Sequence, residues 1–124
     1  MRMSDPGALR SFDVGLRWEQ NDVRVVFSGD LDLAARGALV EATDRAVATA
    51  GRRRVVLDLS EVQRIDSTGL RDLIEAVLRC DQAEADWELI ASDEVERLLV
   101  LVRFGRRRSD GGQGWVAGGG YTEE

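Results

Sequence analysis

The chain contains no histidine and no lysine, and all 17 of its basic residues are arginine. Imidazole general bases, histidine-based metal sites and lysine Schiff bases are thereby excluded. Cysteine occurs once, at Cys80, which rules out an internal disulfide framework and a thiolate-cluster zinc site. No stretch approaches the roughly 18 uninterrupted apolar residues of a membrane-spanning helix. The opening MRMSDPGALRSFDV lacks the apolar core of about 7 to 15 residues that a secretory signal needs. These absences predict a soluble, cytoplasmic protein in a reducing compartment. Positive charge is also in deficit: 17 basic against 23 acidic residues give a net charge of −6. That balance repels phosphate backbones and anionic lipid heads, so nucleic acid and direct membrane binding are not expected.

What is present is enough for one domain. A chain of 124 residues buries roughly two-thirds of its unfolded surface. Apolar residues alternate at Phe12, Val14, Leu16 and Trp18 and again at Val23, Val25 and Phe27. This period-2 pattern predicts two strands joined by a turn at Glu19 to Asp22, the second ending at Ser28 and Gly29. Ala35, Leu39, Ala42 and Ala46 then recur at helical spacing, with Gly51 as a stop. The run Val55, Val56, Leu57 and Leu59, bounded by Ser60, predicts a central strand buried on both faces.

Leu70, Leu73, Ile74, Val77 and Leu78 fit one helical face without a miss. Trp87 to Ala91 reads as a further strand. A last helix carries Val95, Leu98, Leu99 and Val102, with Asp93 and Glu96 at capping-box spacing. Alternation of this kind predicts an α/β fold: a mixed, mostly parallel sheet of four to five strands with helices packed on it. Seven of the last twenty residues are glycine, so the segment from Gly105 reads as a disordered tail.

Sites in such folds are built on loops at the carboxyl ends of strands. IDSTGL, Ile65 to Leu70, is one of these. Either Asp66 or Ser67 can cap the helix that follows, and Gly69 permits close backbone approach. A phosphate on Ser67 would meet the positive end of that helix and add about −1.5 to −2 charges beside Asp66, enough to disrupt an interface that needs a neutral hydroxyl. A hydrolase built on Asp66 and Ser67 lacks a base of suitable pKa, so no enzymatic activity is expected.

Three stretches between Phe12 and Phe104 carry a family resemblance: SGDLD (Ser28 to Asp32), VVLDLSEVQRIDSTGL (Val55 to Leu70) and WELIASDEVERLL (Trp87 to Leu99). Together they resemble the STAS-domain anti-sigma factor antagonists of bacteria, the middle stretch most specifically. The resemblance implies a flexible N-terminus at 1–10, a STAS domain at 11–104 and a tail at 105–124. It further implies partner switching in transcription regulation. The unphosphorylated protein would bind an anti-sigma factor serine kinase, phosphorylation of Ser67 would release it, and a serine phosphatase would restore it.

ATP and magnesium would belong to the kinase, with no cofactor held by this chain. Thr68 is a secondary candidate for phosphorylation. Asp32, Asp66, Ser67, Thr68, Gly69, Arg71 and Asp72 are the implied partner-binding residues, with Arg71 and Asp72 expected to be exposed beside the loop. The alternative within the family is a non-switching STAS scaffold or a subunit of a stressosome or lipid-transport complex, with Ser67 serving only as a cap. Outside the loop, Arg52 to Arg54 and Arg106 to Arg108 read as solvated charges, Cys80 as a buried thiol, and Trp115 and Tyr121 as undocked tail aromatics.

Overall fold

The computed structural model describes residues 11–104, 106–107 and 115–116. The chain runs β1 (Phe12–Trp18), β2 (Asp22–Leu31), a single 3₁₀ turn (Leu33–Ala35), α1 (Ala38–Ala50), β3 (Arg54–Ile65), α2 (Ser67–Gln82), β4 (Trp87–Ala91), α3 (Asp93–Leu101), β5 (Arg106–Arg107) and β6 (Trp115–Val116). The expected order of strands and helices holds through α3. The sheet order is β1-β2-β3-β4-β6-β5. Only the β2/β3 and β3/β4 pairs are parallel, while β1/β2, β4/β6 and β5/β6 are antiparallel. The sheet is therefore mixed rather than mostly parallel. A hairpin at one edge and the short strands after α3 at the other surround the parallel centre.

Two strands run further than the apolar pattern indicates. β2 does not stop at Ser28 and Gly29; it continues to Leu31 through register shifts against β3. Gly29 sits at φ +93°, and a Cβ there would lie 2.1 Å from the Ser11 carbonyl oxygen, so the shift needs glycine. β3 passes Ser60 and reaches Ile65, which pairs with Leu31. Its second half carries exposed Glu61, Gln63 and Arg64 around buried Val62, so the continuous apolar run marks only its fully covered half.

One hydrophobic cluster joins Val23, Val25 and Phe27 of β2, Val55, Leu57 and Leu59 of β3, Leu89 of β4, and the inner faces of the three helices. Leu73, Ala76, Val77 and Cys80 of α2 are fully buried in it. Burial, with Asp81 and Asp44 adding to it, pushes the Cys80 thiol up to about 12, so it is held as the neutral thiol expected. α3 is capped by Ser92, whose hydroxyl accepts from the Val95 N–H at 3.3 Å, not by Asp93. Glu96 faces Trp115 instead and accepts its indole N–H at 3.1 Å.

Trp115 departs from the expectation of an undocked aromatic. It is 3% exposed, pairs with Leu89 in the sheet and packs edge-on against Phe104 with ring centroids 5.7 Å apart. Phe104 in turn packs on Trp87 at 6.3 Å. An aromatic needs only a strand of two residues to bring it onto the core edge, which glycine-rich composition does not reveal. Tyr121, Arg108 and the N-terminal segment 1–10 lie outside the described residues.

On the sheet face opposite the core cluster, Asp58 accepts from the Ser60 hydroxyl at 2.7 Å, from the Ser60 N–H at 3.1 Å and from the Arg24 guanidinium at 3.1 Å. Burial pushes this carboxyl up, but the Ser60 and Arg24 hydrogen bonds outweigh it and hold its pKa below the usual carboxylate value. The sign follows from linkage: a depressed folded pKa gives stability that is complete above the unfolded value of about 3.9 and is lost as pH falls through the folded one. Asp58→Asn is expected to flatten the acid limb of the stability profile below about pH 4, read by urea denaturation at a series of pH values.

Candidate functional site

The parallel pairing of Leu31 with Ile65 places the exits of β2 and β3 side by side at one end of the sheet. Asp32 follows the first and Asp66 the second. Each turns its chain in the same way. Asp32 has extended backbone and accepts the Ala34 N–H at 3.1 Å, capping the 3₁₀ turn. Asp66, also extended, accepts the Gly69 N–H at 2.9 Å and caps α2. Of the two residues able to cap this helix, Asp66 does so.

That choice sets the state of Ser67. It is the first residue of α2, it is exposed, and its hydroxyl makes no hydrogen bond among the described residues. The first-turn amides and the helix dipole lie at the same point and favour added negative charge. Thr68 is half-buried beside it. Gly69 is buried because the first turn of α2 sits on β2: a Cβ there would lie 1.9 Å from the Leu31 carbonyl oxygen and 2.7 Å from its carbon. The Asp66 N–H donates to that same carbonyl at 3.3 Å.

The family model described as "Mlab, STAS domain" matches residues 14–106, which include both strand exits and all of α2. The chain belongs to the STAS domain family. Among solved structures, an anti-sigma factor antagonist from Mycobacterium paratuberculosis is similar with a TM-score of 0.63 and 24% identity, covering 73% of this chain and 77% of its own. SpoIIAA, an anti-sigma factor antagonist in its unphosphorylated form, is similar at a TM-score of 0.55 and 13% identity, covering 72% of this chain and 82% of its own. Mglu matches at a TM-score of 0.57 and 26% identity over 65% of this chain, which spans only 20% of Mglu. No curated protein matches the sequence.

Within this STAS domain the residues singled out from the sequence separate into two groups. Asp32, Asp66, Ser67, Thr68 and Arg71 share the carboxyl end of the sheet with solvent-accessible side chains. Gly69 serves them from beneath. Asp72 departs from expectation: it is 8% exposed and its carboxylate accepts the Gly37 N–H at 3.0 Å. Gly37 is the N-cap of α1, at φ +86° and without a side chain of its own to cap with. Asp72 instead holds the N-cap residue itself, by that residue's own backbone N–H, from the neighbouring helix, one position further round α2 than exposed Arg71. Adjacent residues on a helix point about 100° apart, which is enough to send one to solvent and the next into the α1/α2 contact.

Leu33, absent from the sequence reading, is 61% exposed immediately after the Asp32 cap and adds an apolar group to this surface. No signal in the sequence distinguishes it from a buried leucine. Among the described residues no group of three or more histidine, cysteine or acidic side chains is placed to hold a metal, and no helix is long and apolar enough to cross a membrane.

Two substitutions test this architecture. Gly69→Ala is expected to lose about 3 kcal/mol or more by chemical denaturation, opposite in sign to the gain of roughly 1 kcal/mol that alanine brings inside an ordinary helix. Asp66→Ala is expected to cost about 1 kcal/mol as a lost cap, with Asp66→Asn restoring most of it; thermal melts of the three proteins separate the outcomes.

Proposed function

We propose that this STAS domain is an anti-sigma factor antagonist that works by partner switching rather than by catalysis. In its unphosphorylated form it binds an anti-sigma factor serine kinase, which carries the ATP and magnesium. Phosphorylation of Ser67 ends the complex, and a serine phosphatase returns the protein to the binding state. The observation that carries this reading is the division of labour at the start of α2: Asp66 takes the cap, leaving the Ser67 hydroxyl exposed and unbonded at the helix N-terminus. The structural likeness to SpoIIAA in its unphosphorylated form supports the same reading.

The partner surface consists of Ser67, Asp66, Asp32, Arg71 and the edge of Thr68, with Leu33 as an apolar contact. A phosphate at Ser67 brings about −1.5 to −2 charges next to Asp66. The helix end tolerates that charge, so its effect falls on the partner rather than on the fold. Asp72 contributes from below by fixing α1 against α2.

Incubation with the cognate kinase and ATP is expected to add one phosphate by intact mass, and Ser67→Ala to abolish it; a phosphate that persists in Ser67→Ala overturns Ser67 as the acceptor, with Thr68→Ala then locating it. Ser67→Asp is expected to weaken kinase binding by at least about tenfold, equivalent to roughly 1.4 kcal/mol, while the melting temperature moves little. No phosphate and unchanged binding of Ser67→Asp would point instead to a non-switching STAS scaffold or a subunit of a stressosome or lipid-transport complex.

A further inference from the structure

β1 forms one edge of the sheet, pairing with β2 on one side and with no described strand on the other. Bonds from the Asp30 N–H to the Ser11 carbonyl at 2.7 Å and from the Glu19 N–H to the Asp22 carbonyl at 2.8 Å fix the phase of the β1/β2 ladder. Backbone groups alternate between the two sides of an antiparallel strand. Asp13, Gly15 and Arg17 therefore turn theirs toward β2, and Val14 and Leu16 turn theirs to the open edge.

The side chains of Asp13 and Arg17 lie on the sheet face opposite the core cluster, both exposed, two residues either side of Gly15. Neither is satisfied by its own sheet. Arg17 faces a like charge, Arg24, which is already bonded to Asp58 at 3.1 Å. Its remaining ion pair is a long, exposed one to Glu19 at 3.8 Å. Asp13 faces Ser28 and has no ion pair among the described residues.

We propose that β1 is a self-complementary edge at which two copies of this chain join antiparallel about a two-fold axis through Gly15. In that register Val14 of one copy lies opposite Leu16 of the other, and their outward N–H and C=O groups exchange hydrogen bonds. Gly15 meets Gly15 at the closer, non-hydrogen-bonded position, where Cα atoms approach to about 4.5 Å and the absence of Cβ is an advantage. Asp13 of each copy opposes Arg17 of the other on the same face, which makes two equivalent ion pairs.

Neighbouring registers lose this match. An axis at Leu16 sets Asp13 against Glu19, and an axis at Val14 sets Asp13 against Gly15 and Arg17 against Ser11. On the helix side, a groove of about 210 Å³ between β1 and α1 is lined by Val14, Leu16, Trp18 and Ala42, with Glu41 and Arg45 beside it. Trp18 is 49% exposed there, its indole N–H fixed on the Thr49 hydroxyl at 2.9 Å. A second β1 covers the half-buried Val14 and Leu16. Glu41 and Arg45, opposite charges one turn apart on α1, are a further pair that a two-fold axis makes complementary.

The inference is independent of the Ser67 switch, since that site lies at the end of β3 and not on the β1 edge. A single strand edge buries less than a standard interface, so a weak, concentration-dependent dimer is expected. Sedimentation velocity of the full chain from about 1 to 500 µM should show self-association. Asp13→Arg and Arg17→Asp, each folded by circular dichroism, should each weaken it by at least about tenfold, because each places like charges opposite one another. An equimolar mixture of the two variants should associate again, as should the double variant D13R/R17D. A wild-type protein that is monomeric throughout that range, single variants that self-associate like the wild type, or a mixture that stays monomeric would each overturn the proposal.

Discussion

The carboxyl end of the sheet depends on one close approach, the first turn of α2 seated on the carbonyl of Leu31. Gly69 makes it possible, because a Cβ at that position would stand 1.9 Å from the carbonyl oxygen. The same oxygen accepts the Asp66 N–H, so the last residue of β2 is joined to the entry of α2. Since Leu31 is also paired with Ile65, the two strand exits cannot move independently. Asp32, Asp66 and Ser67 are thus set on one surface by backbone geometry and not by contacts among their own side chains.

α2 distributes its roles by angle around the helix. Leu73, Ala76, Val77 and Cys80 enter the core, Asp72 reaches the N-terminus of α1, and Ser67 and Arg71 face solvent. The cap comes from Asp66, outside the helix, so the exposed hydroxyl of Ser67 has no structural bond to break. Charge can therefore be added at Ser67 without removing a cap, a core contact or the α1/α2 tie. A site where the hydroxyl itself capped the helix would couple modification to helix stability, by about 1 kcal/mol for a lost cap. Here the exposed hydroxyl and the helix cap belong to different residues.

Much of this was legible in the residues and some was not, for identifiable reasons. The alternations at Phe12 to Trp18 and Val23 to Phe27, and the stripe from Leu70 to Leu78, report elements with one face toward the core, and these were found where expected. The lower half of β3 was hidden because Glu61, Gln63 and Arg64 leave only Val62 to mark it as a strand. β6 was hidden because Trp115 and Val116 stand alone among glycines, and its partner β4 is distant in sequence. At the site, two neighbouring residues could each cap α2 on propensity alone, and only the backbone conformation of Asp66 decides between them. Asp72 read as exposed because its spacing lies just off the apolar stripe; its partner, the bare N-cap at Gly37, appears only once α1 and α2 are packed.

The two edges of the sheet are treated differently, and the difference follows from their side chains. Beyond β4, Trp115 closes the core edge against Phe104. The β1 edge has no such cover among the described residues. Exposed edges are commonly protected by charge, and Asp13 and Arg17 meet that description, but charges of one sign would repel another copy in every register. Opposite charges placed evenly about a glycine instead repel in some registers and attract in one. That arrangement selects a two-fold pairing while discouraging the slipped pairings from which open-ended aggregation grows.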